Sequence, residues 1–375
     1  MREKEPWVSI VNRKSVGRLK KPLMTRSLLI AITVSFAAFV PEGATADVES
    51  LLADLNGKPP AERVKALTEG AKREGVVYYY GSTTVNDNQG LVNGFNSHYP
   101  FVEVRYTRLG GASIANKVIN EYRGGVFNAD VITMRGTFIP ELVSKKVICR
   151  YKSPMMPFLR KGFADTEGYL SSLYATGYTV VFNTFRVNPA EVPKAYTDLL
   201  HPRWKGRIVM DSEDYDWFAG MIDLMGENGA TGLLKRLVTE QAMKLRRNHT
   251  LITQLVAAGE HDLLIDGYVH EAVGYKRQGA PIDFVFMNPT IVKPPNAIAV
   301  TSKAPHPHAA ALLVDYYLSK EAHEIMAHKQ SRWTTRADVK WITEPGTGIH
   351  AVSSFEWGRR YNQLIELFKK IAGHT

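Results

Sequence analysis

Between residues 64 and 134 the hydrophobic period of the chain changes back and forth, and this alternation limits the folds open to it more than any other feature. Val64, Leu67 and Ala71 fall on one helical face, and Val76-Val77-Tyr78-Tyr79-Tyr80 follows as a β-branched and aromatic run. Leu91, Phe95 and Tyr99 are again in helical step. Pro100 stops that helix, and Phe101-Val102-Glu103-Val104-Arg105-Tyr106 alternates as a strand. Gly110-Gly111-Ala112-Ser113 opens a third helix running to Tyr122, and 129–134 reads as a third strand. Apolar spacing near 3.6 marks helices and spacing of 2 marks strands. Their alternation predicts an α/β fold, with a mainly parallel sheet covered on both faces and right-handed crossovers.

Sheets of this kind bind ligands at the loops beyond the carboxyl ends of their strands. That rule nominates Gly81-Ser82-Thr83-Thr84, Gly110 to Ser113 with Gly111 and Ala112 at its centre, and Arg135-Gly136. The second half repeats the style without repeating the sequence. Strands are expected over 178–182, 207–210, 261–266, 282–286 and 296–300. Helices are expected over 218–225, 231–237, 251–257 and 309–318.

The N-terminus has a different plan. Lys20, Lys21 and Arg26 precede a 13-residue apolar or small run, 28–40; Pro41 and Gly43 break it, and Ala44-Thr45-Ala46 offers a cleavage site. Charged, apolar and small-residue regions in this order make a secretory signal peptide. The run is shorter than the roughly 20 residues a membrane-spanning helix needs. The expectation is translation from Met24, removal of residues 1–46, and an exported, periplasmic protein beginning near Asp47.

The formal net charge of +10 shrinks accordingly. Residues 1–46 hold eight Lys or Arg and three acids, so half of the excess leaves with them. What remains has no basic blocks, which excludes a nucleic-acid footprint. The single cysteine, Cys149, excludes an intramolecular disulfide and a cysteine-rich metal site, and a buried, inert thiol is expected there.

Enzyme signatures are sparse. There is no Gly-x-Ser-x-Gly elbow, P-loop or Gly-x-Gly-x-x-Gly. His323 and His328 are five residues apart, whereas one helical face needs a spacing of four to hold a metal; they read as surface histidines. His306-Pro307-His308 reads as a turn and cap before an apolar helix. Asp211-Ser212-Glu213-Asp214 lies between a strand and a helix, where acids cap the helix. Alternatively, Asp211 or Asp214 faces a cleft and meets a cation or a ligand hydroxyl. Tyr268 follows another strand and suits a ligand-stacking or hydrogen-bonding role; a metal reading would use Asp211, Tyr268 and Glu271. A hydrolase reading would use Asp211, Asp214 and His270. Arg135, at a strand's carboxyl edge, forms an anion site with the helix start at Gly111.

Several segments together resemble a known family. Val76 to Ser82, Ala129-Asp130-Val131, Leu199-Leu200-His201-Pro202-Arg203-Trp204-Lys205-Gly206-Arg207-Ile208 and Lys303-Ala304-Pro305-His306-Pro307-His308-Ala309-Ala310 resemble type 2 periplasmic binding proteins. The ferric-iron-type substrate-binding proteins of ABC transporters are the branch they are most similar to. The resemblance implies a two-lobed clamshell closing on a solute, each lobe a mixed, mainly parallel sheet flanked by helices. Lobe 1 is expected over 47–172 and 288–335, and lobe 2 over 173–287 and 336–375. It implies a monomer without a cofactor that delivers its solute to a membrane permease. Iron-binding members use a His or Glu in the first lobe and paired tyrosines in the second. Here the first loop is Gly81-Ser82-Thr83-Thr84, Arg135 stands near the acid's position, and Val269 follows Tyr268. Ser82, Thr83, Arg135 and the helix start at Gly111 and Ala112 therefore suit a small anionic solute, Tyr268 stands where one of the iron-type tyrosines would be, and Asp211 and Asp214 keep a cationic or zwitterionic solute open.

Overall fold

The computed structural model describes residues 47–346 and 348–373; the expected signal segment lies outside them. Two helices, α1 (Val48–Asn56) and α2 (Pro60–Glu74), lead into β1 (Val76–Gly81). Then come α3 (Val85–His98), β2 (Glu103–Arg108), α4 (Gly111–Arg123), β3 (Val131–Arg135) and α5 (Ile139–Ser144). Each boundary has a local cause. Pro60 starts α2 where its missing N–H costs nothing, and Gly75, at φ 70°, ends it in a left-handed conformation. The Thr84 hydroxyl caps α3 by accepting from the Asp87 N–H.

A long strand, β4 (Ser171–Asn183), leaves this region for the second, which holds β5 (Ile208–Asp211), α6 (Tyr215–Thr239), β6 (Lys244–Arg246) and α7 (His249–Ala257). β7 (Leu263–Tyr268), α8 (Val269–Arg277) and β8 (Ile282–Val285) complete it, and β9 (Thr290–Val300) returns. The chain ends with α9 (Pro307–Tyr317), α10 (Lys320–Gln330), β10 (Trp333–Thr334), β11 (Ile349–Ala351) and α11 (Ser354–Ala372). The two helices expected around Gly226 form one element, α6, kinked where Gly226 adopts φ 74° and ψ 164°.

The strand order is β2-β1-β3-β9-β4-β7-β5-β6. β2, β1 and β3 are parallel, as are β7, β5 and β6. The antiparallel pair β9 and β4 joins the two groups. The residues of β4 up to Gly177 pair with β9, and those from Tyr178 onward pair with β7 and β8. Both crossing strands are buried along their whole length. β9 begins six residues earlier than its alternation predicts, at Thr290 rather than Asn296. Pro294 and Pro295 hide it, because proline removes a ladder donor and argues against a strand.

The apolar cores follow this division. One pair of clusters contains Leu67, Phe95, Val131, Leu313 and Tyr317, and Ile114, Ile132 and Leu142. Another contains Phe182, Trp204, Phe218 and Phe368, and Val209, Ile252 and Leu264. Between them Ala175, Val269, Val292 and Trp333 form a small cluster against the crossing strands. His323 belongs to the interior: it is fully buried, and burial holds its imidazole down to about 3. The expectation of a surface histidine is corrected there, because α10 turns this position toward the core while His328 stays exposed. His306 and His308 face acids, Asp130 at 3.0 Å and Glu74 at 2.7 Å. Among the described residues no helix is long and apolar enough to cross a membrane.

Candidate functional site

The carboxyl ends of β1, β3, β5 and β7 converge with the middle of β9 on a divided cleft. Its smaller compartment, about 340 Å³, is lined by Arg108, Arg135, Lys293 and Arg332, with Glu271 the single carboxylate. Its larger compartment, about 800 Å³, lies beyond a waist shared by both, at which Arg135 and Tyr268 stand.

The basic compartment is built on one buried acid. Asp216, in the first turn of α6, is fully buried, and its Oδ2 lies 3.0 Å from Arg135 Nη1 and 3.9 Å from Lys293 Nζ. Arg135 also donates to the Tyr361 hydroxyl at 2.8 Å, and Lys293 to the Tyr268 hydroxyl at 2.6 Å. Lys293 Nζ sits 4.5 Å from the centroid of the Tyr268 ring. Burial, and then the nearby Arg135, push the Lys293 ammonium below its ordinary range against the pull of Asp214 and Asp216. Burial raises Asp216 despite Arg135 and Lys293. A buried lysine and a half-buried arginine therefore share one carboxylate, and an anion arriving from solvent would balance the excess charge. Arg332 lies 4.5 Å over the Tyr174 ring with Nη2 3.3 Å from Asp87. Asn296 donates to the Ser82 hydroxyl at 3.1 Å.

Beneath Tyr268 lies a second cluster. His249 Nδ1 is 2.8 Å from Asp211, and its Nε2 is 2.8 Å from Asp214 and 3.3 Å from Asp266. Burial alone would lower this imidazole; Asp214, Asp266 and Asp211 hold it well above its ordinary range. Burial also raises Asp266 to about 6, against the pull of His249. The residue before the histidine, Asn248, takes φ 83°, strained for a non-glycine residue. Asp211 Oδ2 holds it by accepting its N–H at 3.0 Å. That turn aims His249 inward.

The expected site residues separate on this frame. Ser82 lines the basic compartment, Ala112 and Asp211 the larger one, and Gly111, Arg135, Tyr268 and Glu271 both. Thr83 and Asp214 line neither. Thr83 is turned inward, its hydroxyl 3.3 Å from that of Tyr174, and Thr84 takes its place at the cleft. Asp214 is buried, bonded to the Tyr178 hydroxyl and to His249, and caps α6 through the Trp217 N–H. Asp211 has its oxygens occupied by His249 and by the N–H groups of Glu213 and Asn248. Asp211 and Asp214 hold an internal imidazolium, and the Thr83 hydroxyl is turned toward Tyr174, so Thr83 and Asp214 stand behind the cleft wall.

The expected metal set, Asp211, Tyr268 and Glu271, lines the larger compartment together, and each member already has partners. Burial and Asp214 hold the Tyr268 phenol well above its ordinary range, and Lys293 donates to it. Glu271 accepts from Thr250 at 2.7 Å and Thr253 at 3.3 Å. Asp214, His249 and Asp266 do bring ligand atoms within 4.8 Å of one another. Yet both His249 nitrogens face carboxylates, so both carry protons and neither offers a lone pair. The hydrolase grouping separates too: Asp211 and Asp214 hold His249, while His270 stacks on Tyr268 at 5.7 Å. Burial, Arg332 and Lys293 hold His270 well below its ordinary range.

Lys293, Arg332, Arg108, His249 and Tyr361 were not legible as site residues. Lys293 lies in the part of β9 that its prolines conceal, and Arg332 and Tyr361 come from segments far along the chain.

Residues 128–341 match the family of bacterial extracellular solute-binding proteins. The chain belongs to that family. It is therefore an extracytoplasmic solute-binding protein of an ABC importer, and family members of this kind bind solutes for transport. An uncharacterised protein of Haemophilus influenzae is 29% identical over 274 residues, covering 69% of this chain and 78% of that protein. Iron-bound HitA from Pseudomonas aeruginosa superposes with a TM-score of 0.69 at 17% identity, covering 79% of this chain and 99% of its own. The periplasmic binding protein AfuA from Actinobacillus pleuropneumoniae, with fructose-6-phosphate bound, gives 0.68 at 22% identity over 80% and 99%. At these identities the structures establish the fold: the two-lobed type 2 periplasmic-binding architecture expected from the sequence.

Proposed function

We propose that this family member captures a small organic anion, with phosphate esters the leading class, between its lobes. The carrying observation is the lining of the basic compartment: four cationic side chains against one carboxylate that two threonines already engage. Ser82, Thr84, Thr176 and Asn296 add neutral hydrogen-bonding groups suited to hydroxyls on the same solute. Arg135 binds the anionic group through its free guanidinium edge, and Lys293 adds a desolvated charge. A phosphorylated solute is what the AfuA structure holds, whereas HitA holds iron. Here Lys293, donating to the Tyr268 hydroxyl at 2.6 Å, sets a cation beside the phenol and disfavours a ferric ion there.

The rest of the reading follows the family. The protein is exported by its N-terminal signal, acts as a periplasmic monomer, and hands its solute to a membrane permease after closure. Lobe 1 is 47–172 with 288–335 and lobe 2 is 173–287 with 336–375, joined along β4 and β9. Catalysis plays no part.

Thermal unfolding against sugar phosphates, inorganic phosphate, carboxylates and ferric citrate tests this. A ligand at 100 times its dissociation constant adds about 2.7 kcal/mol of stability. A shift with phosphate esters that disappears in Arg135→Ala is expected. A response to ferric citrate alone, lost in Tyr268→Phe, would reject the reading.

A further inference from the structure

An anionic group alone would occupy only the smaller, basic compartment; the larger one, about 800 Å³, opens from the same waist at Arg135 and Tyr268. Its lining is of another kind. Phe138, Tyr215, Tyr361 and Ile365 face it, and Phe138, Tyr361 and Ile365 are only half-buried, leaving apolar surface to be covered. The Tyr361 ring stands 5.8 Å from that of Phe138, inclined at 70°, and 6.1 Å from that of Tyr215, at 86°. Ring faces and edges are thus presented together, the arrangement that recognises another planar ring. The Tyr361 hydroxyl accepts from Arg135 at 2.8 Å, so the aromatic wall begins where the anion anchor ends. Arg247, which also lines this space, is paired with Glu213 at 3.0 Å. Glu141, Asp211 and Glu271 line the same space, so a second anionic group finds no free cation there. Tyr361 and Ile365 belong to α11, the C-terminal helix, which packs this face against Phe138 and Tyr215.

We propose that the solute is an organic anion bearing an aromatic or heteroaromatic ring, its anionic group at Arg135 and Lys293 and its ring against Phe138, Tyr215 and Tyr361. This rests on the anion reading above and specifies the part of the solute that reading leaves open. Pockets for small molecules combine such apolar walls with a few convergent polar groups.

Calorimetric titration of the full chain with phenyl phosphate, glycerol 3-phosphate and inorganic phosphate tests it. Phenyl phosphate is expected to bind about tenfold more tightly than glycerol 3-phosphate, because ring contact and apolar burial add to the common phosphate. That ratio should fall to near one in Phe138→Ala, and in Ile365→Ser should the first variant fail to fold. Equal or tighter binding of glycerol 3-phosphate overturns the ring proposal while the anion reading stands; so does a preference that survives both substitutions. Absence of binding by all three phosphates overturns both.

Discussion

Tyr268 lies flat on His249, with ring centroids 3.9 Å apart and planes 13° from parallel. One face of this phenol thus rests on an imidazolium held by three aspartates, while its hydroxyl receives the Lys293 ammonium at the cleft. The stack couples the floor of the site to the ion cluster that ties the start of α7 to the ends of β5 and β7.

Removing the imidazolium leaves Asp211, Asp214 and Asp266 buried without their shared cation. His249→Asn is predicted to cost about 3–5 kcal/mol near neutral pH, the usual effect of breaking a buried ion pair on one side. Because the folded protein holds His249 above 6.5, its contribution is complete below that pH and disappears as pH rises through the folded value. Urea unfolding of both proteins from pH 6 to 10 should show the gap narrowing toward the alkaline end; a constant gap would argue against a charged His249.

Lys293→Met keeps much of the side-chain volume and removes the charge. Anion affinity is predicted to weaken by about 2 kcal/mol or more, roughly 30-fold. Titration calorimetry with phenyl phosphate, alongside circular dichroism to verify folding, measures it. Undiminished affinity would place the anion elsewhere.

Gly177 sits on β4 at the point where its pairing changes from β9 to β7 and β8. A Cβ there would lie 2.3 Å from the Trp333 ring, which is buried and stacked on Trp341 at 4.7 Å. Gly177→Ala should destabilise by about 1–3 kcal/mol through overpacking. A shift in the urea midpoint reads this directly.

Cys149 is buried, and burial pushes its thiol up to about 12. Since the thiolate is the reactive form, a disulfide exchange reagent at pH 8 should leave the native protein unmodified and label one thiol after unfolding in urea.

Much of this protein was determined locally. Helical and strand periods in 64–134 depend on neighbours a few residues away, so α2, β1, α3, β2, α4 and β3 could be read from the order of side chains. The carboxyl-end rule then named Ser82, Gly111 and Arg135 as cleft residues, since topology alone directs those loops to one edge, and Tyr268 was read from its place after another strand. Charge balance in the cleft could not be read in the same way. Asp211 and Asp214 looked available because nothing nearby in sequence neutralises them; their cation, His249, arrives from 35 to 38 residues away on the strained turn at Asn248. Lys293 was hidden by two prolines, and Tyr361 reaches Arg135 across 226 residues. Whether a carboxylate receives a solute or an internal cation is a matter of desolvation and Coulomb energy over a few ångströms. Only the packed tertiary structure sets those distances.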